Sequence, residues 1–364
     1  MRILCLTSMR ASITNVRPEA EWFIGLQRGG ATVTLMTEAD TEYAQLARDA
    51  GLRIVDFQSN GKLDRRAITQ IRDQLPQTDI VFAMTNKTIA NAAFAVRGSN
   101  AKLVSYRGQT GNISRWDPSC YLTHLNPHVD AIVCVADAVR RSVSAQLTDP
   151  NKAITIYKGH DLAWYDVEAA NLSAIGIDDT APRVICVSNY RPRKGIETLI
   201  DAFAQLQSSA HLILVGTGTD HAKLARRALK HMDASRYHAL GFRDDALAVT
   251  AAADIAVLPA LRREGLPKTI IEAMACSVAP IVTDTGGNAE LVIDGQCGLV
   301  VEPGSISALT KALQLLCDDT ELRSQLGGKA RERIGKDFRI QDTIQKTLSL
   351  FGTLLGKTND QSSR

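Results

Sequence analysis

The stretch REGLPKTIIEAMACS, Arg263 to Ser277, carries two carboxylates, Glu264 and Glu272, in a mostly apolar setting. Ile270, Ile271 and Met274 recur at helical spacing, which predicts a short helix with Glu272 off its apolar face. Pro267 suits the first turn of that helix, where its missing N–H costs nothing. Free N–H groups at a helix start favour an anion such as phosphate. A carboxylate beside a phosphate is repelled, so these glutamates need a neutral ligand. Sugar hydroxyls fit, because an ionised carboxylate accepts from several donors. Two carboxylates flanking a phosphate site point to a nucleotide sugar, one glutamate on each sugar. Two solvated or capping glutamates are the plainer alternative.

These residues need elements to hold them. Short β-rich runs alternate with helical patterns: 2–7, 31–37, 52–57, 79–85, 101–107, 130–136 and 153–159, then 183–189, 211–216, 237–242, 254–260, 278–284 and 297–303. Such alternation predicts parallel βαβ units with both faces covered. The expected organisation is two doubly wound α/β domains, 1–165 and 182–336. A linker over 166–181 joins them, a helix over 337–356 packs back toward the N-terminal domain, and 357–364 forms a frayed tail. In open parallel sheets ligands sit beyond the carboxyl ends of strands, so residues following strands are the candidates. Lys194 follows the run 183–189 and could offset a diphosphate's charge, although a lone loop cation is more often a surface charge. Gly216 and Gly218 lie in VGTGTD, where His221 replaces the third glycine of a dinucleotide loop, so a tight turn shaping a nucleotide site is expected instead. GGNAEL (286–291) permits close backbone approach to a ligand, and Glu290 in it either caps a helix or touches a sugar. His124 and His128 have metal-like spacing, but Pro127 lies between them and no nearby Glu completes a site.

EGLPKTIIE resembles the Glu-x7-Glu motif of the retaining GT-B glycosyltransferases of family 4. AMACSVAPIVTDTGGNAELVIDGQCGLVVEPGS is similar to that family's continuation, and VSNYRPRKGIETLIDAF to its Lys-Gly loop. LILVGTGTDHAKL and HALGFRDD follow in the expected order. The resemblance is strong across 183–316 and weaker in the N-terminal half. It implies a GT-B fold, two Rossmann-like domains facing across a cleft, with Glu272 on the nucleotide ribose and Glu264 on the transferred sugar. Lys194 would meet the diphosphate. Asn189 stands where many members have a Gly-Arg-Leu, and Arg191 would then supply the second cation. Phe242 and Arg243 fall where members hold the base, and Leu266, Pro267, Lys268 and Thr269 would line the donor. Arg107 replaces a histidine frequent near the transferred sugar and could bind diphosphate or an anionic acceptor. Arg10, in the first strand-to-helix loop, is a similar candidate, and His160 is read as a packing or cleft-rim residue at the close of the first domain.

The implied activity is retaining transfer of a hexosyl group from a nucleotide sugar, UDP-sugar among the options, to a hydroxyl acceptor that could be lipid-linked. The setting suggested by analogy is bacterial surface polysaccharide or lipopolysaccharide assembly. No cofactor is called for beyond the nucleotide sugar as co-substrate, and no metal, since no Asp-x-Asp occurs. The alternatives are another GT-B enzyme (a nucleotide-sugar epimerase or a phosphorylase) and a silent nucleotide-sugar-binding protein. The bulk numbers agree with a globular chain: 364 residues, 45% hydrophobic, 22% charged, net charge +3. They give no support for nucleic-acid binding. Residues 1–165 carry 19 Lys and Arg against 15 Asp and Glu, a weak hint of peripheral membrane contact through the N-terminal domain. Seven cysteines without a Cys-x-x-Cys suit a reducing cytoplasm.

Overall fold

The computed structural model describes residues 1–10, 13–177 and 180–357, with backbone only at 13–15. Residues 358–364 of the expected tail and 178–179 of the expected linker lie outside the described residues. The chain forms two units, 1–159 with 339–364, and 160–338.

In the first unit, all seven sequence runs become strands: β1 (Arg2–Leu6), β2 (Thr32–Thr37), β3 (Arg53–Asp56), β4 (Ile80–Ala83), β5 (Lys102–Arg107), β6 (Val129–Cys134) and β7 (Ala153–Thr155). They form one sheet in the order β3-β2-β1-β4-β5-β6-β7, and every pairing is parallel. Ile3–Leu6 and Ile80–Ala83 are buried throughout, as strands covered on both faces must be. Trp22, on the helix Ile13–Arg28, meets Phe82 edge-on at 5.3 Å between centroids, and Phe82 meets Phe351 at 5.5 Å. Phe351 belongs to the C-terminal helix Ile340–Leu354, and Trp22 Nε1 donates to Thr347 Oγ1 of that helix at 3.0 Å. The chain's last helix is therefore part of the first unit's core.

The second unit contains β8 (Arg183–Val187), β9 (His211–Val215), β10 (Tyr237–Gly241), β11 (Ile255–Leu258), β12 (Ala279–Thr283) and β13 (Leu299–Val301). The order is β10-β9-β8-β11-β12-β13, again all parallel. Its core gathers Leu199 and Phe203 from the helix Ile196–Phe203, the inward residues of β8, β9 and β11, and Leu309, Leu313 and Leu316 from the helix Ile306–Asp318. The strand order reverses between β8 and β11. From β8 the chain proceeds to β9 on one side, and from β11 to β12 on the other. Loops leaving these two neighbours part in opposite directions and open a crevice at their carboxyl ends, the usual ligand position in open sheets.

The unit boundary falls earlier than the sequence predicts. His160, expected to close the first domain, instead begins the second unit: its N–H donates to Phe338 O at 2.7 Å and its Nδ1 lies 2.5 Å from Tyr165 Oη. Residues 160–177 and 180–181, expected to be first-domain end and linker, pack with the second unit. The rings of Trp164 and Tyr165 hold them there, at 6.0 and 5.9 Å from the His160 ring.

Candidate active site

Lys194 lies in the turn Pro192–Lys194 after β8, and Glu264 in the loop after β11, so the two flank the crevice of the second sheet. Lys194 Nζ donates to Glu264 Oε1 at 2.8 Å. Arg193 Nη1 stands 3.8 Å from the same oxygen and donates to Arg263 O at 3.2 Å. The Glu264 side chain is 7% exposed and that of Lys194 19%. A carboxylate this buried is tolerable because two cations answer it. Arg193, beside Glu264, is a cation that the sequence reading did not name. The signal was present in the run Arg191-Pro192-Arg193-Lys194, where the more N-terminal arginine was chosen. Arg191 is exposed, and it is Arg193 that approaches Glu264.

Backbone strain fixes Glu264. Arg263 has φ +65°, a left-handed conformation that non-glycine residues seldom adopt. Gly286, after β12, packs against Glu264's own peptide: a Cβ there would lie 2.1 Å from Glu264 O. Gly286→Ala should cost several kcal/mol and disable the site, because backbone cannot yield as a side-chain tip does. Gly295 also has positive φ (+67°) but open space around it, so Gly295→Ala should cost only about 1–2 kcal/mol. Urea denaturation of the pair checks this; equal losses would mean that only φ matters.

Glu272 sits in the helix Lys268–Ala275 and is 8% exposed, more buried than its expected position off the apolar face. Burial pushes its carboxyl above the ordinary range, and the Lys268 ammonium, paired with Glu272 one turn away, opposes that. Pro267 is the residue before the helix and provides no side-chain cap, so the N–H groups of Lys268 and Thr269 start the helix without intrahelical acceptors. Leu266 precedes them.

The loops after β8, β9 and β10 are tied together. Asn189 Oδ1 accepts from Thr217 N at 3.1 Å, between Gly216 and Gly218, and Gly216 N donates to Gly241 O at 2.7 Å. Phe242 presents a ring 63% exposed at this edge. Arg243, named beside it as a base contact, is engaged by Asp245 through Nε at 2.7 Å and Nη2 at 2.6 Å. Glu290 lies inside the short helix Asn288–Leu291, and its backbone carbonyl accepts from Arg333 at 2.8 Å.

Two candidates belong to the first unit. Arg107 ends β5 and is 6% exposed; its Nε donates to Gln109 O at 2.9 Å and its Nη2 to Gly111 O, so it braces the loop that follows. Arg10 pairs with Glu38 at 3.4 Å. The Glu38 carboxylate also accepts from Ser8 Oγ at 2.8 Å and Met9 N at 3.0 Å, fixing the loop after β1. His124 is buried, with Nδ1 3.0 Å from Ser105 Oγ. Burial, then the charge of Arg107, pushes its pKa down to about 3, which keeps it neutral. Among the described residues no three His, Cys, Asp or Glu side chains converge as a metal site.

Two parallel-sheet α/β units, with charged residues on the loops at the second sheet's switch point, fit the GT-B fold. Residues 168–333 match the family model described as glycosyl transferases group 1. The chain is 26% identical over 292 residues to the N-acetyl-alpha-D-glucosaminyl L-malate synthase of Bacillus anthracis, covering 78% of this chain and 76% of that protein. It is 32% identical over 180 residues to a GDP-mannose-dependent monoacylated alpha-(1-6)-phosphatidylinositol monomannoside mannosyltransferase of Corynebacterium glutamicum, 47% of each chain. Among solved structures, Anabaena HepE in complex with UDP superposes with TM-score 0.79 over 97% of this chain and 100% of that one, at 21% identity.

Proposed function

We propose that this chain is a retaining, metal-independent hexosyltransferase moving a sugar from a nucleoside-diphosphate sugar to a hydroxyl acceptor. The contact between Lys194 and Glu264 at the switch point carries this reading, because it pairs a cation for the diphosphate with a carboxylate for sugar hydroxyls. The bond from the sugar's anomeric carbon to the diphosphate oxygen breaks, and the acceptor oxygen bonds to that carbon on the same face. The acceptor's proton passes to the departing diphosphate. Lys194, Arg193 and the N–H groups of Lys268 and Thr269 stabilise the growing charge, as fixed positive groups do best where charge develops. Glu264 holds the transferred sugar and Glu272 the ribose. No protein nucleophile is assigned.

The donor base is approached through the relatives: HepE forms a complex with UDP, and the Corynebacterium enzyme is GDP-mannose-dependent. That name also describes a lipid acceptor, and a lipid-linked hydroxyl in surface polysaccharide assembly is the setting we favour. The seven cysteines are free thiols, all but Cys276 buried, in keeping with a reducing cytoplasm. No helix among the described residues is long and apolar enough to cross a membrane. A panel of UDP-, GDP- and ADP-sugars scored by thermal shift tests the reading. The true donor at ~100 times its Kd should stabilise by ~2.7 kcal/mol, and a panel without any shift would refute it.

Two further results are expected. Glu272→Ala should weaken donor and free nucleoside diphosphate alike by ~1.5–3 kcal/mol, the worth of charged hydrogen bonds. Calorimetry on both ligands measures this, and an unchanged nucleotide affinity would remove Glu272 from the ribose. Transfer should also survive EDTA, because protein cations carry the diphosphate charge. Loss on chelation with rescue by Mn²⁺ or Mg²⁺ would show that a metal carries it.

A further inference from the structure

The strands of the first unit begin at a basic pocket that glycosyl transfer does not use. It opens at the amino ends of β1, β4 and β5, the opposite end of the sheet from Arg10 and Arg107, and its volume is about 640 Å³. Arg2, Arg72 and Arg97 line it, with a single acid, Asp79. That acid is already engaged. Its Oδ1 accepts from Arg2 Nε at 3.1 Å and Nη2 at 2.6 Å, and its Oδ2 from Arg2 N at 2.8 Å. The sheet fixes the pair: Asp79 N donates to Arg2 O at 2.9 Å, and Lys102 N to Asp79 O at 3.0 Å. Three guanidiniums against one carboxylate leave the pocket a balance of +2.

Arg72 and Arg97 are anchored on one residue, Phe94. Arg72 Nη2 donates to Phe94 O at 3.2 Å, and Arg97 Cζ lies 4.2 Å from the centre of the Phe94 ring. Among the described residues the Arg97 guanidinium makes no hydrogen bond or ion pair, and that of Arg72 makes only this one. Both stand at the carboxyl ends of helices, Arg65–Gln74 and Asn86–Ala95, where a cation offsets the helix dipole. That role leaves most of their donors unspent and calls for no concavity between them. The rest of the wall is apolar, from Leu75, Pro76 and Leu355, the last just beyond the C-terminal helix. Arg53, at the start of β3, lines an adjoining pocket that shares Arg2 and Thr78. Guanidinium forks with open donors match phosphate oxygens, and an apolar wall beside them matches the body of an organic phosphate. The volume lies within the ~300–1,000 Å³ usual for small-ligand sites. We propose that this pocket binds a small organic phosphate, a nucleoside monophosphate or a sugar phosphate, with Arg72 and Arg97 on the phosphate. The inference stands apart from the transfer reading and survives if the donor assignment fails.

Calorimetry on the full chain tests it, with inorganic phosphate, ribose 5-phosphate and adenosine 5′-monophosphate as probes. The expected result is saturable binding, tighter for the two organic phosphates than for inorganic phosphate, and weakened by salt. A clear preference for adenosine 5′-monophosphate would mark a nucleotide site, and equal affinity for the two a sugar-phosphate site. Arg72→Ala and Arg97→Ala should each lower the affinity roughly tenfold, and Arg97→Lys should recover only part, because the fork is lost while the charge stays. Lys194→Ala should bind as the wild type does, which separates this pocket from the transfer site. Amide exchange at 96–101 should slow on binding in the wild type and not in Arg97→Ala. A wild-type chain without saturable binding, organic phosphates that bind no better than inorganic phosphate, Arg72→Ala and Arg97→Ala variants that bind normally, or binding abolished by Lys194→Ala would each overturn the proposal.

Discussion

Lys194→Ala is expected to lose ~10²–10³ in kcat, or ~2.7–4 kcal/mol of transition-state stabilisation, with a much smaller change in KM. The ammonium matters most as the diphosphate departs, when negative charge grows on the bridging oxygen. A group that binds the transition state better than the ground state lowers kcat more than it raises KM. Lys194→Arg should recover only part, because a planar fork cannot place its charge where a compact ammonium sits. The structure adds a stability effect that a loop cation would not have. Removing Lys194 takes the 2.8 Å donor from a Glu264 side chain only 7% exposed, with Arg193 at 3.8 Å left to answer it. The second unit should lose about 1–2 kcal/mol as a result. Arg193→Ala should show a smaller kinetic loss, and Arg191→Ala a smaller one still. Steady-state kinetics on the four variants decides, and near-normal turnover in Lys194→Ala would remove it from the mechanism.

Glu264→Ala should leave nucleoside diphosphate affinity nearly intact while transfer falls by about a hundredfold. The carboxylate contacts the transferred sugar in this account, so the bare nucleotide never meets it. Before donor arrives, Glu264 accepts from Lys194. In this account donor binding replaces that contact with one from Lys194 to the diphosphate and one from Glu264 to sugar hydroxyls. The variant lacks the second, and Lys194, no longer positioned by the carboxylate, still meets the bare nucleotide but is misplaced for the departing diphosphate. Calorimetry with nucleoside diphosphate and with intact donor separates the two. Equal losses for both ligands would move Glu264 to the nucleotide end of the site.

Much of this was legible in residue types. Buried parallel strands read as continuous apolar runs, so HLILV and DIAVL announce themselves without any partner in view. The pairing order was not legible: a continuous apolar run does not say which neighbour it meets, and the reversal between β8 and β11 that makes the crevice is a property of the assembled sheet. The boundary was misplaced because the run Leu162–Tyr165 does not show which unit its rings will join; Trp164 and Tyr165 pack against His160 in the second unit. Glu264 and Lys194 were named separately, 70 residues apart, and only folding shows that they touch. Arg193 went unnamed for the same reason: spacing within a turn does not reveal which side chain approaches the Glu264 carboxylate.

The account's central claim is that Lys194 and Glu264 work as one unit at the switch point of the second sheet. A double-mutant cycle in kcat tests it most directly, comparing Lys194→Ala, Glu264→Ala and the double variant with the best donor from the panel. Groups that act together are strongly non-additive, so the account predicts a double variant within a few fold of the worse single one. Losses that multiply across the cycle would show two independent residues and contradict it.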